Sequence, residues 1–304
     1  MTKGSELAAP KAVHSQVVAN RPLVSIGLPV FNSAQYLDGA LKFLLDQTYR
    51  NIEFIISDNA STDETPDICA RYASLDRRIR YSRLPVNEGS IPNHNRVFSL
   101  ATGTYFMWAS HDDLFFPSYV EKCVEGLESD ASAVLAYSRV GIIDESGHVQ
   151  SLMVEPHSAD APRAAERFKE FMDLYSVLEA FYGLIRREVL EKTMLQLAHP
   201  GSDRILLAEL SLHGRFVQIP EYLFQRRIHE RQSAGVYPNI RDRYVWVSPA
   251  LKDKRMFPHW GYLAGYTRAI LRTPLSLRDK ALCAIEVLRL IRYSWRELLD
   301  DLKA

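Results

Sequence analysis

The sequence predicts an α/β protein: a mostly parallel sheet flanked by helices, with a helical carboxyl-terminal extension. Short apolar runs alternate with stretches of helical periodicity from Leu23 onward. Polar loops separate the runs from the helices that follow them. With 304 residues, 47% hydrophobic and 24% charged, the chain is long enough to bury a sizeable core and has an ordinary globular composition.

The first apolar run, Leu23 to Leu28, reads as a buried strand stopped by Pro29. Asn32 or Ser33 then caps a helix carrying Leu37, Ala40, Leu41, Leu44 and Leu45 on one face. Ile52 to Ile56 forms a second strand, followed by the polar loop Ser57 to Asp63. A helix–strand unit over 64–84 ends in a strand from Ile79 to Leu84, and residues 91–101 are helical. Tyr105 to Ala109 is a strand that runs directly into Ser110, His111, Asp112 and Asp113. In sheets of this kind ligands gather beyond the carboxyl ends of the strands. The loops after Leu28, Ile56 and Ala109 therefore converge on one cleft.

The second half has a different pattern. Residues 133–150 indicate a strand and hairpin turning near Glu145-Ser146-Gly147, and 156–163, with two prolines, a flexible loop. Helices are expected at 164–175, 187–197 and 203–213, and strand-like segments at 180–185 and 216–227. From residue 259 the chain is helical again. Leu277, Ala281, Ile285, Leu288, Ile291, Trp295, Leu298 and Leu302 form an apolar stripe there.

Charge and cysteine content narrow the function classes. The 37 basic and 37 acidic side chains cancel, leaving no electrostatic footprint of a nucleic-acid binder. Three scattered cysteines, Cys69, Cys123 and Cys283, form no metal cluster or disulfide framework and suit a reducing compartment. Residues 1–20 lack a continuous apolar region and read as a mobile tail rather than a signal peptide. No apolar run approaches the ~20 residues that span a bilayer, so the cytoplasm is the expected location.

Asp112 and Asp113 put two carboxylates at a strand exit. Carboxylate oxygens suit magnesium or manganese, and such a cation can neutralise a departing diphosphate. The same pair also suits a helix start, which Pro117 marks nearby. Its company distinguishes the two readings: Pro29-Val30-Phe31-Asn32, Ser57 to Asp63, and Asn87-Glu88-Gly89 precede it in order.

That ordered set resembles the inverting nucleotide-sugar glycosyltransferases of family 2, which use the GT-A-type fold. The resemblance covers about residues 22–140 strongly and 176–233 more loosely. It implies transfer of a sugar from a nucleotide diphosphate sugar to an acceptor hydroxyl, assisted by a divalent cation. The catalytic domain would span 21–235 and the extension 236–304. By the same resemblance Pro29, Phe31 and Asn32 edge the nucleotide pocket, and Asp58 accepts a hydrogen bond from the base. Asn87 and Asn95 are candidates for ribose or sugar contacts, as is Asn93. Asp63 is expected to cap the following helix.

Asp112 matches the family's metal-binding aspartate. Ser110 stands where the family usually has another aspartate, and His111 fills the variable position between them; both are expected beside the nucleotide. Asp113 would face the diphosphate or sugar. Asp203, opening a helix after Gly201-Ser202, matches the general base, although helix capping is an ordinary use of the same residue. The basic segment Gln225 to Ser233 resembles the family's carboxyl-terminal motif, with His229 at the metal and Arg227 at the diphosphate.

The acceptor class stays open among saccharides, lipid-linked molecules and small molecules. The carboxyl-terminal helices, with Arg278, Arg289, Arg292 and Arg296 beside the stripe, suit packing on the catalytic domain or in a homodimer. Attachment to the inner face of an anionic membrane is the other reading, with Glu286, Asp300 and Asp301 diluting the basic face. Two competing functions are a nucleotidyltransferase, which would carry a Gly-rich basic loop where Pro29 to Asn32 stand, and a non-catalytic nucleotide-sugar-binding protein.

Overall fold

The computed structural model describes residues 21–153, 159–173 and 177–303; the expected tail and residues 156–158 of the expected loop lie outside them. Strand β1 (Val24–Val30) is flanked by two parallel neighbours, β2 (Ile52–Asp58) and β4 (Tyr105–Trp108), and β3 (Ile79–Arg83) lies beyond β2. The remaining strands are β5 (Leu114–Phe115), β6 (Ala133–Ile143), β7 (Val149–Leu152), β8 (Leu184–Arg186) and β9 (Arg215–Arg227). They complete a mixed sheet of order β3-β2-β1-β4-β8-β6-β9-β5, with β7 paired to β6. β8 is antiparallel to both β4 and β6, whereas β6 and β9 run parallel over most of their lengths.

Helices cover both faces. α1 (Ala34–Leu45), α2 (Thr65–Leu75) and α4 (Tyr119–Ser129) bury their apolar faces in one core with Leu28, Phe54 and Phe115. On the other side lie α3 (Ser90–Ser99), α5 (Ala164–Asp173), the single turn α6 (Arg187–Leu190) and α7 (Ser202–His213). After β9 come α8 (Ser233–Val236), α9 (Ile240–Val247), α10 (Pro258–Arg272), α11 (Leu277–Tyr293) and α12 (Trp295–Lys303). Leu263, Tyr266, Ala269, Cys283, Val287 and Leu298 join the second core, so α10, α11 and α12 are docked on the sheet-flanking layer. Among the described residues no helix is long and apolar enough to cross a membrane.

Three local expectations are corrected. Pro29 does not stop β1, which continues to Val30. β4 pairs with β1 only as far as Gly27, so the missing Pro29 N–H faces a side where no ladder partner remains. The helix expected at 187–197 is one turn. Thr193 Oγ1 donates to Leu190 O at 2.7 Å and accepts from Leu195 N at 3.1 Å, and this competing side-chain bonding ends the helix. The segment at 180–185 is a 3₁₀ turn, Val177–Tyr182, running into β8.

The stripe on α11 and α12 does not pack inward as a whole. Leu277, Ile285 and Leu288 are 86%, 55% and 63% exposed, while Cys283 and Val287 make the buried contacts. Two ion pairs to the layer beneath, Arg163–Asp279 at 3.0 Å and Asp173–Arg289 at 2.8 Å, accompany that rotation of α11. The expected packing is therefore made by a narrower, different face.

Candidate active site

The loops after β1 and β2 are fastened to each other. Asn32, in the left-handed region at φ 49°, donates its N–H to Ser61 Oγ at 3.0 Å, and its Oδ1 accepts from Thr62 N at 2.8 Å. Asp63 accepts from Thr65 N at 3.0 Å and from Ala34 N at 3.1 Å. It thus serves two helix starts, and the cap expected of Asn32 or Ser33 on α1 comes from Asp63 instead. Asn59, absent from the sequence-derived set, ties these loops to the next one: its Nδ2 donates to Asn87 Oδ1 at 2.8 Å and its Oδ1 accepts from Glu88 N at 2.9 Å. Gly89, at φ 99°, makes the turn into α3.

The acidic pair follows β4. Asp112 Oδ2 lies 2.8 Å from His229 Nε2, and Ser110 donates its hydroxyl to Asp112 Oδ1. Burial opposes ionisation of Asp112, but His111, Ser110 and His229 outweigh it and hold the carboxyl below its ordinary range. Asp113 behaves oppositely. Burial and the adjacent Asp112 charge push it well above that range, although it accepts from Arg227 N at 2.8 Å. His111 is held below the ordinary imidazole range by burial. Tyr36 packs on the His229 ring at 4.7 Å.

Asp203 begins α7 across the cleft, its Oδ1 accepting from Arg204 N at 2.7 Å. Burial raises its pKa, with Glu179 a smaller contributor. Gly201, just before it, is a close-approach position: a Cβ there would stand 1.8 Å from the Tyr262 hydroxyl, so α10 can press against the start of α7.

A cleft of ≈ 720 Å³ unites these groups, a volume ordinary for a small-molecule site. Pro29, Phe31, Asn32 and Asn87 line one part of it, Ser110, His111, Asp112, Asp113 and His229 another, and Asp203 a third. Three expected residues do not line it. Asp58 is fully buried, with Oδ1 accepting from Ser61 N at 2.8 Å and Oδ2 from Tyr81 Oη at 3.1 Å, so it braces its own loop. Asn95 exchanges two hydrogen bonds with the Gln196 backbone. Arg227 turns away and donates to the carbonyls of Asp112, Asp144 and Glu145, each at 2.9 Å.

The cleft is lined by Arg231 and, where sequence reasoning chose Arg227, by Arg226. Arg226 pairs with Glu179, also missed, at 2.6 Å. Tyr237 and Trp246, stacked at 5.6 Å, add an aromatic wall. The signal for Arg226 was the strand period, which puts adjacent arginines of β9 on opposite faces. Glu179 sits in no motif.

The Asp112 and His229 side chains are of the types that hold a hard divalent cation, and they already converge. Among the described residues no group of three or more His, Cys, Asp or Glu side chains is placed to hold one. A cation would therefore take its remaining ligands from phosphate and water, a usual arrangement for magnesium.

The mixed sheet and its flanking helices give the chain a GT-A-type fold. The chain belongs to glycosyl transferase family 2, whose sequence profile matches residues 25–194, more than half its length. It is similar to an uncharacterized glycosyltransferase of Haemophilus influenzae, 29% identical over 223 residues, which span 72% of this chain and 69% of that protein. A Rickettsia typhi glycosyltransferase is 36% identical over 128 residues, 39% of its own length. The Bacillus subtilis glycosyltransferase TuaG, named for teichuronic acid biosynthesis, is 30% identical over 127 residues, 42% of this chain and 50% of TuaG. Among solved structures, Staphylococcus aureus TarS 1-349 with UDP-GlcNAc superposes with a TM-score of 0.58 over 88% of this chain and 72% of that one, at 14% identity. The Pyrobaculum calidifontis mannosyltransferase PcManGT, with GDP-Man and Mn2+, gives 0.53 over 94% of this chain and 86% of that one, at 16% identity. These two likenesses are of fold.

Proposed function

We propose that the chain transfers a sugar from a nucleotide diphosphate sugar to an acceptor hydroxyl by a single displacement that inverts the anomeric centre. One observation carries the reading: the Asp112–His229 pair and Asp203 line the same cleft. Residues 21–235 form the proposed catalytic unit and 236–304 an extension docked on it. Asp203 takes the proton from the acceptor hydroxyl as its oxygen bonds to the anomeric carbon. The bond from that carbon to the phosphate oxygen breaks, and its electron pair leaves with the nucleotide diphosphate. Asp112 and His229 would hold a magnesium or manganese ion, which supplies neutralising charge to the diphosphate when bound. Arg226 offers a forked donor to the same oxygens in place of Arg227.

Pro29, Phe31, Asn32, Asn87 and His111 form the proposed nucleotide wall, and Tyr237 with Trp246 a face against which a sugar ring can stack. The two fold neighbours were solved with a uridine and a guanosine diphosphate sugar, which supports the donor class. Buried, unpaired Cys69, Cys123 and Cys283 accord with a cytoplasmic location. Incubation with a panel of nucleotide sugars and manganese tests the reaction. Slow release of nucleoside diphosphate, lost in Asp112→Ala, is expected. Release of pyrophosphate from a nucleoside triphosphate and a sugar phosphate would overturn it.

A further inference from the structure

The outward face of α11 is apolar along its whole length. Leu277, Ala281, Ala284, Ile285, Leu288 and Ile291 project there, and all are exposed. The face continues on α12 through Trp295, Leu299 and Leu302, which are 52%, 47% and 50% exposed. Single exposed apolar residues need no explanation, but a contiguous row on consecutive helices marks an interaction surface.

Three acids of the segment turn inward: Asp279 pairs with Arg163, Glu286 with Arg289, and Asp301 accepts from His259 N at 2.7 Å beneath α12. Arg278, Arg292 and Arg296 remain outward, with Arg296 over the Trp295 ring. Glu297 and Asp300 are the outward acids, and Lys303 pairs with Asp300 at 2.9 Å. A helix with an apolar face, flanking arginines and an indole beside them has the composition of one that lies in a membrane interface. The 17 residues of α11 span about 25 Å in that plane.

A second copy of the chain fits this face less well. A two-fold pairing of α11 centred on Ile285 would set Arg278 against Arg292 of the other copy, like charge on like. An anionic lipid surface complements both.

The face is also placed where docking would matter to catalysis. Trp260 Nε1 donates to Leu298 O at 3.0 Å, which joins α12 to the start of α10. The start of α10 in turn presses Tyr262 against Gly201, two residues before Asp203. The apolar end formed by Trp295, Leu299 and Leu302 is thus one helix removed from the proposed base.

We propose that α11 and α12 dock this chain on an anionic membrane surface and so bring the Asp203 side of the cleft to an acceptor carried by a lipid. Docking stands on the face alone; the lipid-linked acceptor rests on the proposed transfer reaction. Co-sedimentation of the full chain with vesicles tests docking without reference to turnover. Binding to phosphatidylcholine vesicles containing phosphatidylglycerol is expected, with little binding to phosphatidylcholine alone and weakening at high salt. Leu288→Glu and Arg292→Glu, both at exposed positions, should each reduce binding about tenfold while leaving Tm and nucleoside diphosphate release unchanged. Absence of sedimentation with the anionic vesicles overturns the proposal, as does undiminished binding by both variants. A solution dimer broken by Leu288→Glu, in a chain that ignores vesicles, would assign the face to self-association instead.

Discussion

His229 Nε2 and Asp112 Oδ2 lie 2.8 Å apart although 117 positions separate them in the chain. The contact joins the exit of β4 to the segment after β9, and both residues line the cleft. Asp112→Asn and His229→Ala should therefore fail in the same assay. Each is expected to lose manganese-dependent affinity for a nucleoside diphosphate in calorimetry. The loss should exceed the ~10–100-fold drop that follows removal of a merely supporting partner. Affinity measured in chelator should change far less.

Asp203 gives a prediction with opposite signs for activity and stability. As the proposed base, its replacement in Asp203→Asn should reduce kcat about 10²–10⁴-fold. Burial holds its proton above the ordinary carboxylate range in the folded chain, whereas the unfolded chain releases it near pH ~3.9. The folded state binds the extra proton, so stability is greatest below the unfolded value and falls as pH rises through the raised one. Asp203→Asn removes that loss. Its Tm at neutral pH should equal or exceed that of the parent, with the difference gone below about pH 4. Parent activity should fall as pH drops through the raised pKa.

The two arginines of β9 should separate under one substitution. Arg226→Lys keeps the charge facing Glu179 but loses the fork, so KM for the donor should rise about tenfold with Tm nearly unchanged. Arg227→Lys gathers its donors on one nitrogen and cannot reproduce the spread of Nε to Asp112 O and Nη1 to Asp144 O and Glu145 O. It should destabilise the fold by about 2 kcal/mol in denaturant titration and affect KM less.

Asp58→Asn tests whether the buried carboxylate supports a loop or reads a base. An amide would point donors at Tyr81 Oη and the Arg83 guanidinium, costing about 1–3 kcal/mol. Discrimination among uridine, guanosine and thymidine diphosphates in a thermal-shift screen should be unaffected.

Most of the sheet and the acidic exit of β4 were legible because their signals are local. An apolar run followed by polar residues fixes where a strand ends, and the parallel rule fixes which ends share an edge. What was not legible depends on partners distant in the chain. Asp58 is held out of the cleft lining by its contacts with Tyr81 and Arg83 of β3. The choice between Arg226 and Arg227 is made by the register of β9 on β6, where two irregularities near Ser138, Arg139 and Val140 reset the faces. The helical period of α11 was correctly spaced, but Cys283 and Val287 offer a second, smaller apolar face. The docking of α11 on α5 and α10 selects the smaller one.

The parallel ladder of β6 with β9 sets an order of assembly. Residues 133–143 wait for 215–227 before the ladder can form, and His229 arrives later still. A nascent chain emerging from the ribosome can complete β1, β2 and β3 with their helices long before that. Asp112 and Asp113 would then stand together without the imidazole or the backbone N–H of Arg227 until residues 227–229 emerge. The proposed cation-holding pair of Asp112 and His229 forms only once the last sheet strand is in place beside β6.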